Sequence, residues 1–255
     1  MQKEPNQSTN PTRASGPRGL SWRWAKQMKA IAFDLGDTLV EFEGVPLSWE
    51  ALYPEALVNL TSFLKLAPKA HQIGEACTLL RRYNTRINPR KEEVAFSTIL
   101  KGVLECFDFP AEVEELGCAT AFFKIFRQRI RCYPETNAAL QIIRKKKIKI
   151  GVFTDVPYGM PRELVIGDLQ ETSLVESLDV LLNSRDARFR KPAPVTLLLL
   201  AEQLSCGPKE MLHIGNEKKD IEVGRAFGCY SILLDRSRHG CDWGQDRTIH
   251  SLLEI

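Results

Sequence analysis

Five short apolar runs constrain this chain more than any other feature: KAIAF at 29–33, IKIGVF at 148–153, LDVLL at 178–182, MLHI at 211–214 and YSILL at 230–234. Each has strand length. Helical stretches separate the later ones: one opened by Pro134 and Glu135 and ending in Arg144–Lys147, one over Pro194–Leu204, and one over Ile221–Phe227 stopped by Gly228. Continuous apolar strands alternating with helices indicate an α/β fold, a parallel sheet with helices on both faces. The cations of Arg144–Lys147 suit the negative end of their helix and read as a solvated terminus.

Residues 48–131 break the alternation. Leu52, Ala56, Leu57, Leu60, Phe63 and Leu64 recur at helical spacing, although Pro54 leaves the start of that helix open. The pattern continues through Leu79, Tyr83, Val94, Ile99, Leu100 and Val103, and then through Leu116, Phe122, Phe123, Phe126 and Ile130. About four helices and no strand are expected there. The expected domains are a core of 29–45 and 132–255, an all-helical insert over 46–131, and a disordered tail over 1–28. The tail is polar, rich in Pro, Ser, Asn and Arg, and lacks the apolar centre of a signal peptide. An Arg-rich organelle presequence is the alternative. Glu4, Pro5 and Pro11 suit it poorly, and Met28, directly before the first strand, reads as the natural start.

Composition narrows the function classes. A hydrophobic content of 44% over 255 residues supports a sizeable core. A net charge of +3 is too mild to imply nucleic-acid binding, and no apolar run is long enough to cross a bilayer. Seven cysteines without zinc-type spacing suggest reduced thiols and a cytoplasmic protein. His71, His213, His239 and His250 show no metal spacing, and His213 reads as structural. Phe122, Phe123 and Phe126 read as core of the insert, and Trp22 and Trp24 fall in the tail.

Ligands of open parallel sheets bind beyond the carboxyl ends of the strands. Four such ends carry polar groups: Asp34 after the first strand, Thr154 and Asp155 after the second, Lys191 in "RFRKPAP", and Asn216 with Asp220 in "GNEKKD". Singly, each has a structural explanation as a turn former, strand cap, surface lysine or helix cap. Their collection on one edge points to a catalytic cleft.

These stretches, "FDLGDTL", the strand ending in Thr154, "RKPAP" and "HIGNEKKD", resemble the four signatures of the haloacid dehalogenase-like hydrolases. The resemblance covers residues 29–255 and implies a Rossmann-like core with a helical cap inserted after the first strand. It implies that Asp34 is the nucleophile and forms a covalent intermediate. It gives the Gly36 carbonyl, Asn216 and Asp220, together with Asp34, to a Mg²⁺ site. Thr154 would hold the transferring phosphoryl group, and Lys191 would balance the charge of nucleophile and phosphate.

Three positions depart from that pattern. Gly36 stands where phosphatases of the family carry a second Asp that protonates the leaving group. Asn216 stands for the usual first acid of the last signature, and Asp155 follows Thr154 where Asn is common. Asp155 is then the candidate surrogate acid, its pKa raised by nearby carboxylates. The leading expectation is a Mg²⁺-dependent phosphatase of a small phosphorylated metabolite. The alternatives are a metal-independent haloacid dehalogenase, which needs no acid at Gly36, and a catalytically weakened binding or regulatory protein. The sequence leaves the substrate and oligomeric state open.

Overall fold

The computed structural model describes residues 27–46, 48–127 and 129–255. The tail expected over 1–28 falls outside them up to residue 26, as do Trp22 and Trp24. Met28 does not belong to a tail, because its side chain is buried in the core beside β1.

The chain enters through β1 (Ala30–Phe33) and β2 (Val40–Phe42). Four helices follow: α1 (Tyr53–Phe63), α2 (Ala70–Tyr83), α3 (Phe96–Cys106) and α4 (Glu115–Phe123). Pro54 lies in the first turn of α1, where a missing N–H costs nothing. The chain returns through β3 (Ile130–Cys132), then alternates: α5 (Thr136–Lys145), β4 (Lys149–Thr154), α6 (Arg162–Glu171), β5 (Val180–Asn183), α7 (Ser184–Ala187) and α8 (Val195–Leu204). It closes with β6 (Met211–Gly215), α9 (Lys218–Phe227), β7 (Tyr230–Leu234) and β8 (Arg247–Ile249).

Six strands form one parallel sheet in the order β5-β4-β1-β6-β7-β8. β1 lies inside it, with β4 and β6 on its two sides, so the chain reverses its direction of travel across the sheet at β1. That reversal opens a crevice at the carboxyl end of β1, the usual ligand site of such sheets. Ile31 and Phe33 feed the core shared with α5 and α6, while Ala30 and Ala32 feed the one shared with α8 and α9. The near-continuous apolar strands seen in the sequence reflect this burial on both faces.

The insert departs from expectation at its exit. Ile130, expected on the last helix of the insert, lies in β3, which pairs antiparallel with β2 through Phe42↔Ile130 and Val40↔Cys132. The insert is thus tied to the core by a two-stranded ribbon rather than by loose linkers. Its interior is aromatic: Phe96, Phe122, Phe123 and Phe126 pack with centroids 5.0–6.3 Å apart.

Candidate active site

β1 delivers Asp34 to the crevice. Its N–H donates to the Ile214 carbonyl at 2.9 Å, so the backbone stays in register with β6 one residue past the strand. Lys191, whose ammonium is fully buried, donates to Asp34 Oδ1 at 2.5 Å and to Asp220 Oδ1 at 2.6 Å. Asp220 sits in the first turn of α9, where its Oδ2 accepts the Glu217 N–H at 2.9 Å. Only a glycine at 215 permits this, since a Cβ there would lie 2.3 Å from Asp220 Cγ. His213 is buried in β6, with Nδ1 3.1 Å from the Ala32 carbonyl and Nε2 3.9 Å from Asp220.

Charge is unevenly shared in this cluster. Burial pushes the Asp34 carboxyl up to about 7, against the pull of Lys191. Burial acts on Asp220 in the same direction and is the largest single influence, but Lys191, His213 and Lys219 together outweigh it and hold Asp220 below the usual carboxylate range. For Lys191 burial works against the charged form, and the Asp220 and Asp34 carboxylates outweigh it, keeping the ammonium protonated.

The other side of Asp34 is lined with neutral oxygens. The Thr38 hydroxyl lies 3.5 Å from Asp34 Oδ2 and 3.2 Å from Asn216 Oδ1, which brings those two oxygens to one neighbourhood. Gly36 lines the same cavity, and its carbonyl would be the third oxygen of a cation site there. One carboxylate, one amide oxygen and one carbonyl suit a hard cation that keeps several of its waters. No group of three or more His, Cys, Asp or Glu side chains able to hold a metal occurs among the described residues, so Mg²⁺ chemistry fits only with such a sparse donor set. Asp220, expected among the ligands, has both oxygens engaged, one by Lys191 and one by the Glu217 N–H.

Asp155 does not have the surroundings expected of an acid. Its Oδ1 accepts the Lys191 N–H at 3.0 Å, and its Oδ2 lies 3.3 Å from Lys219 Nζ and 3.8 Å from Arg190. Cations rather than carboxylates adjoin it. Thr154 ends β4 on the same cavity, largely buried.

Several residues of the site carried no signal in the sequence. Glu93, on the loop leading into α3, has a buried side chain that pairs with Arg190 and with Arg90 and accepts the Ser184 hydroxyl at 2.6 Å. Around it the chain segments meet as a short antiparallel bridge, Glu92 opposite Phe189, with Glu93 N–H on the Arg188 carbonyl and Arg190 N–H on the Lys91 carbonyl. The loop carrying Lys191 is thereby clasped by the helical insert. Arg86 also crosses from the insert to the core, 2.6 Å from Glu217.

The cavity so enclosed has a volume of about 230 Å³. Its far wall is aromatic. Trp49 stacks on Phe126 with centroids 4.0 Å apart and planes 7° apart, and lies 5.8 Å from the Tyr158 ring. The Tyr158 hydroxyl pairs with that of Tyr53 at 2.5 Å. Gly159 beside it has φ +60, and a Cβ there would meet the Val94 carbonyl oxygen at 2.0 Å, so the loop after Thr154 is pressed against the insert.

Comparison with known proteins agrees with this fold. A family model described as haloacid dehalogenase-like hydrolase matches residues 28–228. The phosphoglycolate phosphatase of Escherichia coli is 27% identical over 231 residues, covering 86% of this chain and 85% of that protein. A HAD phosphatase structure from Thermococcus onnurineus superposes with a TM-score of 0.60 at 21% identity, covering 89% of this chain and 95% of that one. A 2-haloacid dehalogenase structure from Pseudomonas syringae gives 0.60 at 21% identity, with coverage of 88% and 95%.

Proposed function

This chain belongs to the haloacid dehalogenase-like hydrolase family, and from that premise we propose that it is a Mg²⁺-dependent phosphatase of a small phosphorylated metabolite, working through an aspartyl-phosphate at Asp34. The two-sided setting of Asp34 carries the reading: a buried ammonium on Oδ1, and neutral oxygen donors on the side of Oδ2. A carboxylate attacking an anionic ester needs positive charge on both partners, and this arrangement offers a place for it on each side. Asp34, the Gly36 carbonyl and Asn216 Oδ1 would hold Mg²⁺, which when bound supplies charge neutralisation for the phosphoryl oxygens.

The chain's own groups account for the rest. Asp34 attacks phosphorus while the ester oxygen departs with the bonding electrons. Thr154 holds a phosphoryl oxygen, and Lys191 offsets the charge of nucleophile and phosphate. Asp220 keeps Lys191 protonated and in place. Water then attacks the acyl phosphate at phosphorus, which returns Asp34 and frees inorganic phosphate. The helical insert closes the cavity and limits water.

Haloacid dehalogenation is the weaker reading. A haloacid brings a carboxylate that needs a cation, yet Arg86, Arg127, Arg190 and Lys219, which line the cavity, are each paired with a carboxylate of the protein. The seven cysteines are all free thiols, which supports placing the protein in the cytoplasm. No helix among the described residues is long and apolar enough to cross a membrane. The discriminating experiment measures phosphate release with Mg²⁺ and halide release without metal, for wild type and Asp34→Asn. Mg²⁺-stimulated phosphate release that Asp34→Asn abolishes is expected. Full activity in the presence of chelator would remove the metal from the scheme.

A further inference from the structure

The geometry points to a phosphate monoester of a phenol as the substrate class, its ring seated on the Trp49 wall. This deepens the phosphatase reading and rests on it. Two independent observations lead to it, one on the leaving group and one on the chamber that receives it.

The first is the state of the cavity's carboxyl groups. An alkoxide leaves slowly unless a positioned acid protonates it, a contribution of about 10²–10⁴-fold. Asp155 is held by the Lys191 N–H and Lys219, Glu217 by Lys219 and Arg86, and Asp168 by Arg127. Asp37 lines the cavity on its exposed side and, among the described residues, is not ion-paired. It takes left-handed backbone at φ +56, however, one residue past the usual position of the acid, with its N–H bonded to the Val40 carbonyl. Gly36, on the turn directly after the nucleophile, has no side chain to offer. A phenolate needs no proton to depart. In the balanced step the Asp34–phosphorus bond forms, the phosphorus–oxygen bond to the ring breaks, and the phenolate keeps the electron pair and takes a proton from solvent.

The second is the far wall. Trp49, Phe42 and Val45 are half-buried and line the cavity, so part of their apolar surface is open to a bound group. Tyr158 is fixed from behind by Tyr53, and Phe126 by the Trp49 stack. The Asn84 side chain is engaged, its amide donating to the Tyr53 and Ser48 hydroxyls and its oxygen accepting the Arg86 N–H. Every lining cation is ion-paired, as described above. A carboxylate-bearing group would find the lining cations already paired, whereas a planar ring finds an aromatic surface to stack on.

The test measures kcat/KM with Mg²⁺ for phenyl phosphate, acetyl phosphate, phosphoglycolate and glycerol phosphate. Acetyl phosphate shares the easily expelled leaving group but lacks the ring. Phenyl phosphate is expected to exceed glycerol phosphate and phosphoglycolate by at least about 100-fold. In Trp49→Ala the ratio of phenyl to acetyl phosphate should fall about tenfold, and Trp49→Phe should restore most of it. Because that ratio is taken within one protein, it is independent of how much of the variant folds. Alkyl esters hydrolysed as fast as phenyl phosphate, or an unchanged ratio in Trp49→Ala, would overturn the assignment while leaving the phosphatase reading intact. No phosphate from any of the four compounds would overturn both.

Discussion

Lys191 and Asp220 form an ion pair of 2.6 Å in which neither side chain has any exposed surface. An ammonium so placed is tolerable only while its carboxylates remain. Removing one partner of a buried pair costs roughly 3 kcal/mol or more. Asp220→Asn is therefore expected to lower the melting temperature by about 6–12 °C and to reduce turnover as Lys191 loses its anchor. Thermal unfolding followed by circular dichroism measures the first effect. An unchanged melting temperature would show that Asp34 alone suffices to hold the lysine.

Asp34 makes the opposite contribution. Its folded pKa of about 7 lies above the unfolded value of about 3.9, so the native state binds its proton more tightly. The native state then carries more protons than the unfolded one between about pH 4 and pH 7, and stability falls as pH rises through that window. Asp220, held low, acts in a separate window: its stabilisation is present above about pH 4 and lost as pH falls further. Without divalent cation, wild type should lose stability between about pH 4 and pH 7 and Asp34→Asn should lose less. Melting curves at several pH values compare the two, and parallel profiles would contradict this account.

Asn216 contributes a neutral oxygen to the side of Asp34 away from Lys191. Asn216→Asp adds a charge to a hard-cation site and should tighten Mg²⁺ binding. Titration calorimetry of the two proteins reads the change directly. Equal affinity would mean that residue 216 does not contact the ion.

Gly36 has ordinary backbone, and a Cβ there would meet only Phe42 Cε2 at 3.8 Å. Gly36→Asp should therefore fold normally and place a carboxyl group beside the nucleophile. Hydrolysis of glycerol phosphate is expected to rise by about tenfold or more, with little gain on phenyl phosphate. A uniform change on both esters would argue against a role in proton transfer.

The sheet was legible because its strands are buried on both faces and so read as unbroken apolar runs, each ending in a polar residue at the same edge. Asp34, Thr154 and Asn216 follow from those ends, whereas Lys191, beyond α7, and Asp220, in the first turn of α9, stood out only together with the signature stretches around them. The ribbon of β2 and β3 could not, since each strand has three residues and their pairing spans the whole insert. The cations around Asp155 were hidden too, because Lys219 and Arg190 reach it only through the tertiary fold. Glu93 looked like any charged loop residue. Trp49 sits on a single 3₁₀ turn with no periodicity to mark it.

The clasp between Lys91–Glu93 and Arg188–Arg190 has a consequence for how such proteins diversify. The segment that fixes the catalytic lysine's loop belongs to the same insert that supplies the far wall of the cavity. Exchanging the insert for one from a relative would alter substrate preference and the seating of Lys191 in one stroke. The two parts are therefore not interchangeable modules, and a working chimera has to carry a matching Glu93–Arg190 pair across the graft.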